Sequence, residues 1–328
     1  MGRIPTWVVG HGGLLGSHVV RALVSQMPEA IYWENPIRPF CWTDQDKLFE
    51  QMAGAATLFA EAVRAAGGSW MVIWTAGAGV VATPRPALDA ECTTWRQLLK
   101  LLDAHFLDSP APVPGTIFLA SSAGGVFGQG SDRTLTEETP CCPVSDYGRC
   151  KLRQEKELRD WAQQRPGVRY LIGRIANLYG PGQNLTKPQG LISQLCRCML
   201  FQFPAHIYVP LDTIRDYLFV EDCAEQIVRC LRRVAEEENC RVLKLLASEK
   251  QTSVAQLIGL FTRLFPKHPR IICGHSAQRQ RQPAKLRFQS VVWPDLSLRR
   301  PTPLAVGVAR VCRHQLALLG KGQLPPPR

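Results

Sequence analysis

The sequence predicts an α/β protein: a doubly wound, mostly parallel sheet followed by a smaller, discontinuous C-terminal part. Three observations predict it. An apolar strand, Thr6-Trp7-Val8-Val9, runs into a glycine cluster and then into apolar residues at helical spacing, Leu14, Leu15, Val19 and Leu23. A second run, Trp70 to Ala76, is continuous in apolar residues, as a parallel strand covered on both faces requires. Strands and helices then alternate through the first half of the chain, the pattern of a Rossmann-like sheet that binds ligands at the carboxyl ends of its strands.

The glycine cluster has the spacing G-x-x-G-x-x-G, at Gly10, Gly13 and Gly16. In a dinucleotide-binding turn one glycine lets the chain reverse, one lets the backbone approach a pyrophosphate, and one lets the helix pack on the strand. The anion then lies on the helix N-terminus. The commoner G-x-G-x-x-G, started at Gly10 and Gly12, fails because its last position is Leu15. A second strand follows at Ala30–Trp33, and Glu34 lies 18 residues beyond Gly16. An acid near that offset of roughly 20 residues accepts hydrogen bonds from the adenosine ribose, which favours NAD. Arg38 could serve NADP instead if the loop turns back.

A short strand is expected around Phe40–Trp42, then a helix from Gln45 to Ala66 closed by Gly67-Gly68. The Trp70–Ala76 strand opens into Gly77-Ala78-Gly79, small residues that would let a cofactor lie close to the strand end at Ala76. A helix from Ala87 to Asp108, a proline-rich turn from Ser109 to Pro114, and the strand Thr116–Ala120 lead to the Ser-rich loop Ser121–Gly128. The next helix is expected from Val144 to Arg165. Tyr147 and Lys151 are four apart on it and share a face. A tyrosine, with an ordinary pKa near ~10, is a poor acid or base at neutral pH unless a neighbouring cation stabilises the tyrosinate.

The 328 residues suffice for a large domain and a smaller one. No apolar run reaches the roughly 18 residues of a membrane span, and the early first strand leaves no room for a signal peptide. Met1 to Thr6 fits the loose myristoylation pattern, which the nearness of the core strand makes a chance match. Twelve cysteines lie mostly within helical or strand patterns, and neither Cys141-Cys142 nor Cys196-x-Cys198 has a second half at zinc-site spacing. They read as small buried hydrophobes in a reducing, cytoplasmic compartment, with no metal site. The net charge is +12, with eight Lys/Arg from Lys267 to Arg300 (267, 270, 279, 281, 285, 287, 299, 300) against Asp295. Such a charge permits nucleic acid, an anionic membrane or a multiply charged small anion as partner, or is simply a solvated basic loop; the run contains Phe288 and Trp293 without the regular aromatic interleaving that stacks on single strands.

Taken together, the glycine turn, the Ser-rich loop and Tyr-x-x-x-Lys resemble the extended short-chain dehydrogenase/reductase superfamily, in its branch of NAD-dependent nucleotide-sugar epimerases and dehydratases. Arg174-Ile-Ala-Asn177-Leu-Tyr-Gly180-Pro-Gly182 is similar to that family's R-x-x-N-x-Y-G-P-G segment, and Arg215 to Asp222 to its R-D-Y-x-x-V-x-D. Thr302 to Gly307 is like its closing T-P-L-x-x-G. The resemblance implies that Gly10, Gly13, Leu15 and Gly16 hold the pyrophosphate and Glu34 the adenosine ribose. It makes Tyr147 the general acid/base and Lys151 the residue that holds the nicotinamide ribose and tunes the tyrosine. Asn177 and Arg215 would face the substrate, with Arg215 forking onto a diphosphate.

Departures from the pattern shape the expectation. The family's catalytic Ser or Thr lies four residues before an aromatic, but counting back from Phe127 reaches Ala123. Ser122 is nominated as catalytic and substrate-binding, with Ser121 in reserve. The family's dehydratases carry Asp-Glu in this loop, where Gly124-Gly125 stands here. The resemblance therefore implies an epimerase, at C4 through a keto-sugar, with a keto-sugar reductase as the alternative and a dinucleotide- or RNA-binding protein without turnover as a third reading. It also implies a nucleotide-diphosphate sugar substrate and a homodimer. The expected division is 1–177 with 210–240 as the NAD-binding part, and 178–209 with 241–328 as the substrate-binding part.

Overall fold

Residues 3–108, 111–128, 133–186, 190–266, 268, 270–274 and 284–327 are described by a computed structural model. Met1 and Gly2, Ser109 and Pro110 of the proline-rich turn, Lys187, and Lys267, Arg279 and Arg281 of the basic run lie outside these described residues. The strands β1 (Ile4–Val9), β2 (Ala30–Tyr32), β3 (Trp70–Trp74), β4 (Gly115–Ser122) and β5 (Val168–Ile175) pair in parallel. Between them run the helices α1 (Leu14–Gln26), α2 (Gln45–Ala66), α3 (Arg85–Leu102), the single turn α4 (Ala123–Val126) and α5 (Asp146–Gln163). Strands buried on both faces cannot alternate polar and apolar residues, and β3 is accordingly apolar throughout. Val8, Met71, Ile73 and Phe118 pack towards α1, whereas Trp7, Val9, Trp70, Val72 and Trp74 pack towards α2 and α3.

Strand order in this sheet is β2-β1-β3-β4-β5, closed by β9 (Arg241–Leu246). The order reverses between β1 and β3, and a crevice opens at such a switch point beyond the strand ends. Gly10 and Ala76 sit there. The remainder contains β6 (Asn177–Tyr179), α6 (Leu191–Leu200), β7 (Ala205–Ile207), β8 (Ile214–Phe219) and α7 (Val220–Glu236). After β9 come β10 (Gln251–Ser253), α8 (Val254–Leu264), β11 (Ile271–Cys273) and α9 (Leu304–Gly320). Helix α7 returns to pack on the α1 side, while α6, α8 and α9 enclose a separate core of Leu195, Cys196, Phe219, Phe261, Val308 and Val311.

Three segments differ from the sequence expectation. Phe40–Trp42 is not a strand: the Cys41 N–H donates to Gln51 Oε1 at 2.7 Å, and Asn35 brackets Ile37 with two side-chain hydrogen bonds, so the backbone is satisfied without a sheet edge. Residues 241–246, expected in the substrate-binding part, form the sixth strand of the main sheet, in register with Tyr170–Ile175. The chain near 284–297 also comes back to this sheet. Lys244, fully buried, donates to Ser290 Oγ at 2.7 Å and to the Val292 carbonyl, while Glu137 accepts from the N–H groups of Leu245 and Val291. A buried ammonium and a half-buried carboxylate need such partners, and these fasten the C-terminal segment to the sheet edge.

The family-like segments meet in space. Asp222 accepts from Thr302 N and Thr302 Oγ1, and a Cβ built on Gly307 would lie 2.1 Å from the Tyr179 hydroxyl. Gly307 therefore lets α9 close over Tyr179. Asp216 is 1% exposed, accepts from Ser248 N at 2.9 Å, and burial pushes its carboxyl up to about 6.

Two outcomes test this fold. A Cβ on Gly16 would lie 2.2 Å from the Gly10 carbonyl oxygen, so Gly16→Ala is expected to lower unfolding free energy by about 1–3 kcal/mol in urea titrations. A carboxyl with a raised folded pKa stabilises the fold below its unfolded pKa near ~3.9 and loses that contribution as pH rises through about 6. The unfolding free energy of Asp216→Asn minus that of the parent should therefore grow by roughly 2–3 kcal/mol between about pH 4 and pH 7. A flat difference would show that Asp216 titrates as an ordinary carboxylate.

Candidate active site

The glycine turn is closed by contacts that only glycine permits. Gly10 has φ +92°, and a Cβ on it would lie 2.7 Å from Ala76 N, so the turn after β1 rests directly on the backbone leaving β3. The Gly13 N–H donates to the Gly10 carbonyl at 2.9 Å, and Thr75 Oγ1 donates to Val9 O at 3.0 Å. Helix α1 starts without a side-chain cap and without an acid in its first turn, and Leu15 is buried at 8% exposure. Gly12 and Gly13 are exposed, and a Cβ on Gly12 would meet nothing within 4 Å. Free N–H groups facing an open space with no competing anion suit a pyrophosphate. Beyond β2, exposed Glu34 pairs with Arg38, so the loop does turn back and brings an acid and a base to the same place.

The Ser-rich loop and α5 are joined by a second pair of glycine contacts. A Cβ on Gly148 would lie 2.1 Å from the Gly125 carbonyl, which lets α5 rest on the α4 turn. A Cβ on Gly125 would lie 3.1 Å from Tyr147 Cε1 and 3.3 Å from Ser122 Oγ, so the tyrosine ring and this hydroxyl flank one bare glycine. Ser122 caps α4, accepting from Gly125 N at 3.1 Å, and its O–H remains available to donate. Ser121 is differently employed: it donates to Glu155 Oε1 at 2.6 Å. Glu155 is fully buried and takes a two-pronged bond from Arg174, at 3.0 and 2.8 Å. That commitment separates the two serines and leaves Ser122 as the one beside Tyr147.

Lys151 is 6% exposed, with Nζ 5.9 Å from the Tyr147 ring centre and donating to Gln154 Oε1 at 3.1 Å. Glu91 of α3 was not singled out by the sequence. Its Oε1 accepts from Ala78 N at 2.6 Å and from Gly79 N, while its buried Oε2 has no hydrogen-bond partner among the described residues. A Cβ on Gly77 would lie 3.3 Å from that Oε2 and 3.6 Å from Lys151 Nζ, so carboxylate and ammonium converge on the loop after β3. Nothing in the local sequence flags Glu91. Glu155 was not singled out either, although it lies four residues beyond Lys151 on the same helical face.

On the far side, Asn177 begins β6 with Oδ1 3.7 Å from a Cβ built on Gly124. Arg215 is 8% exposed, and its Nη1 donates to the carbonyls of Ile214 at 2.8 Å and Ala284 at 3.4 Å. It has no carboxylate partner among the described residues, since Asp216 and Asp222 are bonded to Ser248 and Thr302. Burial holds its guanidinium below the usual arginine range, a cost an anionic ligand would relieve. The backbone at Ala284–Leu286 runs beside Ile214, and Leu286 Cδ1 lies 3.6 Å from a Cβ on Gly124. Part of the basic run thus walls the space over the α4 turn. Among the described residues no cluster of His, Cys, Asp or Glu could hold a metal, and no helix is long and apolar enough to cross a membrane.

Comparison with known proteins bears on the fold and the family. The chain is 30% identical over 122 residues to dTDP-4-dehydro-6-deoxyglucose reductase of Escherichia coli, covering 37% of this chain and 38% of that protein. It is 29% identical over 144 residues to a putative UDP-glucose 4-epimerase of Methanocaldococcus jannaschii, covering 44% and 45%. The chain thus spans less than half the length of either relative. The crystal structure of the Thermotoga maritima UDP-glucose 4-epimerase with UDP-glucose superposes with TM-score 0.73 at 20% identity, over 96% of this chain and 100% of that one, a likeness of fold. A family model described as the NAD dependent epimerase/dehydratase family matches residues 6–245. That match takes in both glycine contacts, the Tyr147–Lys151 face, Asn177 and Arg215, and the chain belongs to the NAD-dependent epimerase/dehydratase family.

Proposed function

We propose that this protein is an NAD-dependent epimerase that inverts a carbon, C4, of a nucleotide-diphosphate sugar. The observation that carries the reading is the flanking of Gly125 by Tyr147 and Ser122, with Lys151 one turn further along α5 beside the loop that leaves β3. Gly10, Gly13 and Gly16, the Leu15 N–H and Ala76 would seat NAD, with Glu34 at its adenosine ribose and Lys151 at its nicotinamide ribose. Bound NAD supplies a hydride acceptor and then a hydride donor.

The protein's own groups do the rest. Tyr147 Oη takes the proton from the sugar hydroxyl and, after the keto-sugar has turned, returns it to that same oxygen. Lys151 places a positive charge beside the tyrosine ring, and Ser122 donates to the reacting oxygen. Glu91 holds the Gly77–Gly79 backbone and faces Lys151, acting on the position of the ammonium. Arg215 forks onto the diphosphate, where its buried guanidinium, without a carboxylate partner among the described residues, gains a counter-ion. Asn177 faces the sugar from the other side of Gly124. Gly124-Gly125 offers no carboxylate for eliminating water, which disfavours the dehydratase chemistry found elsewhere in the family. A cytoplasmic homodimer is the setting this reading expects.

The second reading is a keto-sugar reductase, favoured by Arg38, whose guanidinium at Glu34 would suit the 2′-phosphate of NADPH. Incubation with NAD⁺ and a panel of UDP-, GDP- and dTDP-hexoses separates the two. An epimerase yields an isomer of unchanged mass without net cofactor turnover; a reductase consumes one NAD(P)H per product and needs a keto-sugar. Tyr147→Phe is expected to lower kcat at least ~100-fold with cofactor binding retained, and full turnover in that variant would refute the mechanism. Ser122→Ala should lower kcat by roughly 100-fold and, by removing the α4 cap, cost about 0.5–2 kcal/mol of stability. Ser121→Ala should instead lose about 1.5–3 kcal/mol of unfolding free energy, because it removes a bond to a buried charge.

A further inference from the structure

We propose that Cys92 and Cys150 are a reversible oxidation site, at which a small hydroperoxide joins α3 to α5 through a disulfide. The two Sγ atoms lie 3.0 Å apart, so closing to a bond of ~2.05 Å asks for a movement of about 1 Å. They come from helices packed side by side, and 58 residues separate them in the chain. The pair is distinct from the other thiols near the surface. Cys142 and Cys273 are exposed, whereas Cys92 and Cys150 are 0% and 5% exposed.

Cys150 lines a cleft of about 150 Å³ between the two helices, walled by Arg85, Asp89, Asp146, Arg149 and Arg153. That volume admits a peroxide-sized molecule. Cys150 is one of the residues lining the cleft and its sulfur touches that of Cys92, which sets a second thiol beside the first, ready to resolve it once oxidised.

The chemistry balances with the hydroperoxide as the only co-reactant. Cys150 gives up its proton and attacks an oxygen of H₂O₂; an S–O bond forms, the O–O bond breaks, and the departing hydroxide takes a proton to become water. Cys92 then attacks the sulfenic sulfur, the S–S bond forms as the S–O bond breaks, and the leaving hydroxide takes the Cys92 proton as a second water. Two thiols are oxidised by two electrons and one peroxide is reduced to two waters. A thiol reductant reverses the step by exchange.

The location ties this site to the one described above without depending on its function. Cys92 follows Glu91, which holds Ala78 and Gly79, and Cys150 lies between Tyr147 and Lys151 on α5, with Tyr147 packed against the Leu88–Cys92–Cys150 cluster. The crosslink would lock together the two elements that carry those residues.

The test uses the full chain in a Cys142→Ser/Cys273→Ser background, which removes the exposed thiols, treated with a few equivalents of hydrogen peroxide. Peptide mapping under non-reducing conditions should show one linked Cys92–Cys150 peptide with a loss of about 2 Da, restored by dithiothreitol. The Tm should rise by several degrees on oxidation and fall back on reduction, as expected when a loop of this length is closed. If Cys92 and Cys150 both remain alkylatable after denaturation, or are recovered as sulfinic acid without linkage, the proposal is overturned. A linked peptide with a lowered Tm would overturn the locking role. Because these readouts need neither cofactor nor sugar, a failed epimerase reading and a failed oxidation site would be told apart.

Discussion

Close backbone approach, made possible by glycine, is the constraint on which the site depends. Gly10 rests on Ala76, Gly16 on the Gly10 carbonyl, and Gly148 on the Gly125 carbonyl, each at a separation that leaves no room for a Cβ. Through the first pair, helix α1 is drawn down until its uncapped N-terminus faces the switch point of the sheet. Through the last, α5 is drawn onto the α4 turn, and Tyr147 reaches Ser122 across the bare surface of Gly125. Neither helix could bring its functional end to the strand termini if side chains stood between.

Around these contacts the polar groups divide into those committed and those left free. Ser121, Glu155 and Arg174 form a buried, mutually satisfied set that anchors α5 to β4 and β5. Such a set fixes geometry because each member would be costly to leave unpaired. Ser122, Lys151, the outer oxygen of Glu91 and the Arg215 guanidinium have capacity left, and all four belong to the candidate site. This separation of spent from unspent hydrogen-bonding capacity distinguishes two adjacent serines that look alike in sequence.

The segments that resemble a nucleotide-sugar family serve architecture as well as chemistry. Asn177 lies beside Gly124, while Tyr179, Asp222, Thr302 and Gly307 lock the outer lobe to the sheet-bearing part. The C-terminal chain then returns along Ile214 and Leu135 and is pinned by Lys244 and Glu137. A strict assignment of the chain beyond residue 241 to an outer lobe therefore fails: β9 and the stretch near Ser290 belong with the main sheet.

Local pattern alone determined the parallel sheet, the glycine turn, the shared face of Tyr147 and Lys151, and the family, because each depends on periodicity or on residue types at short, fixed spacing. It misplaced a strand at Phe40–Trp42, where a side chain of α2 takes up the backbone donor that a strand would have used. Tertiary structure alone decided that Ser122 rather than Ser121 faces the tyrosine, that Glu91 converges on Lys151 from 60 residues away, that Arg215 has no carboxylate partner among the described residues, and that Cys92 meets Cys150. Those facts rest on contacts between elements distant in the chain. No spacing rule reaches them, because the distance between two side chains on different helices is set by how the helices pack, not by the residues between.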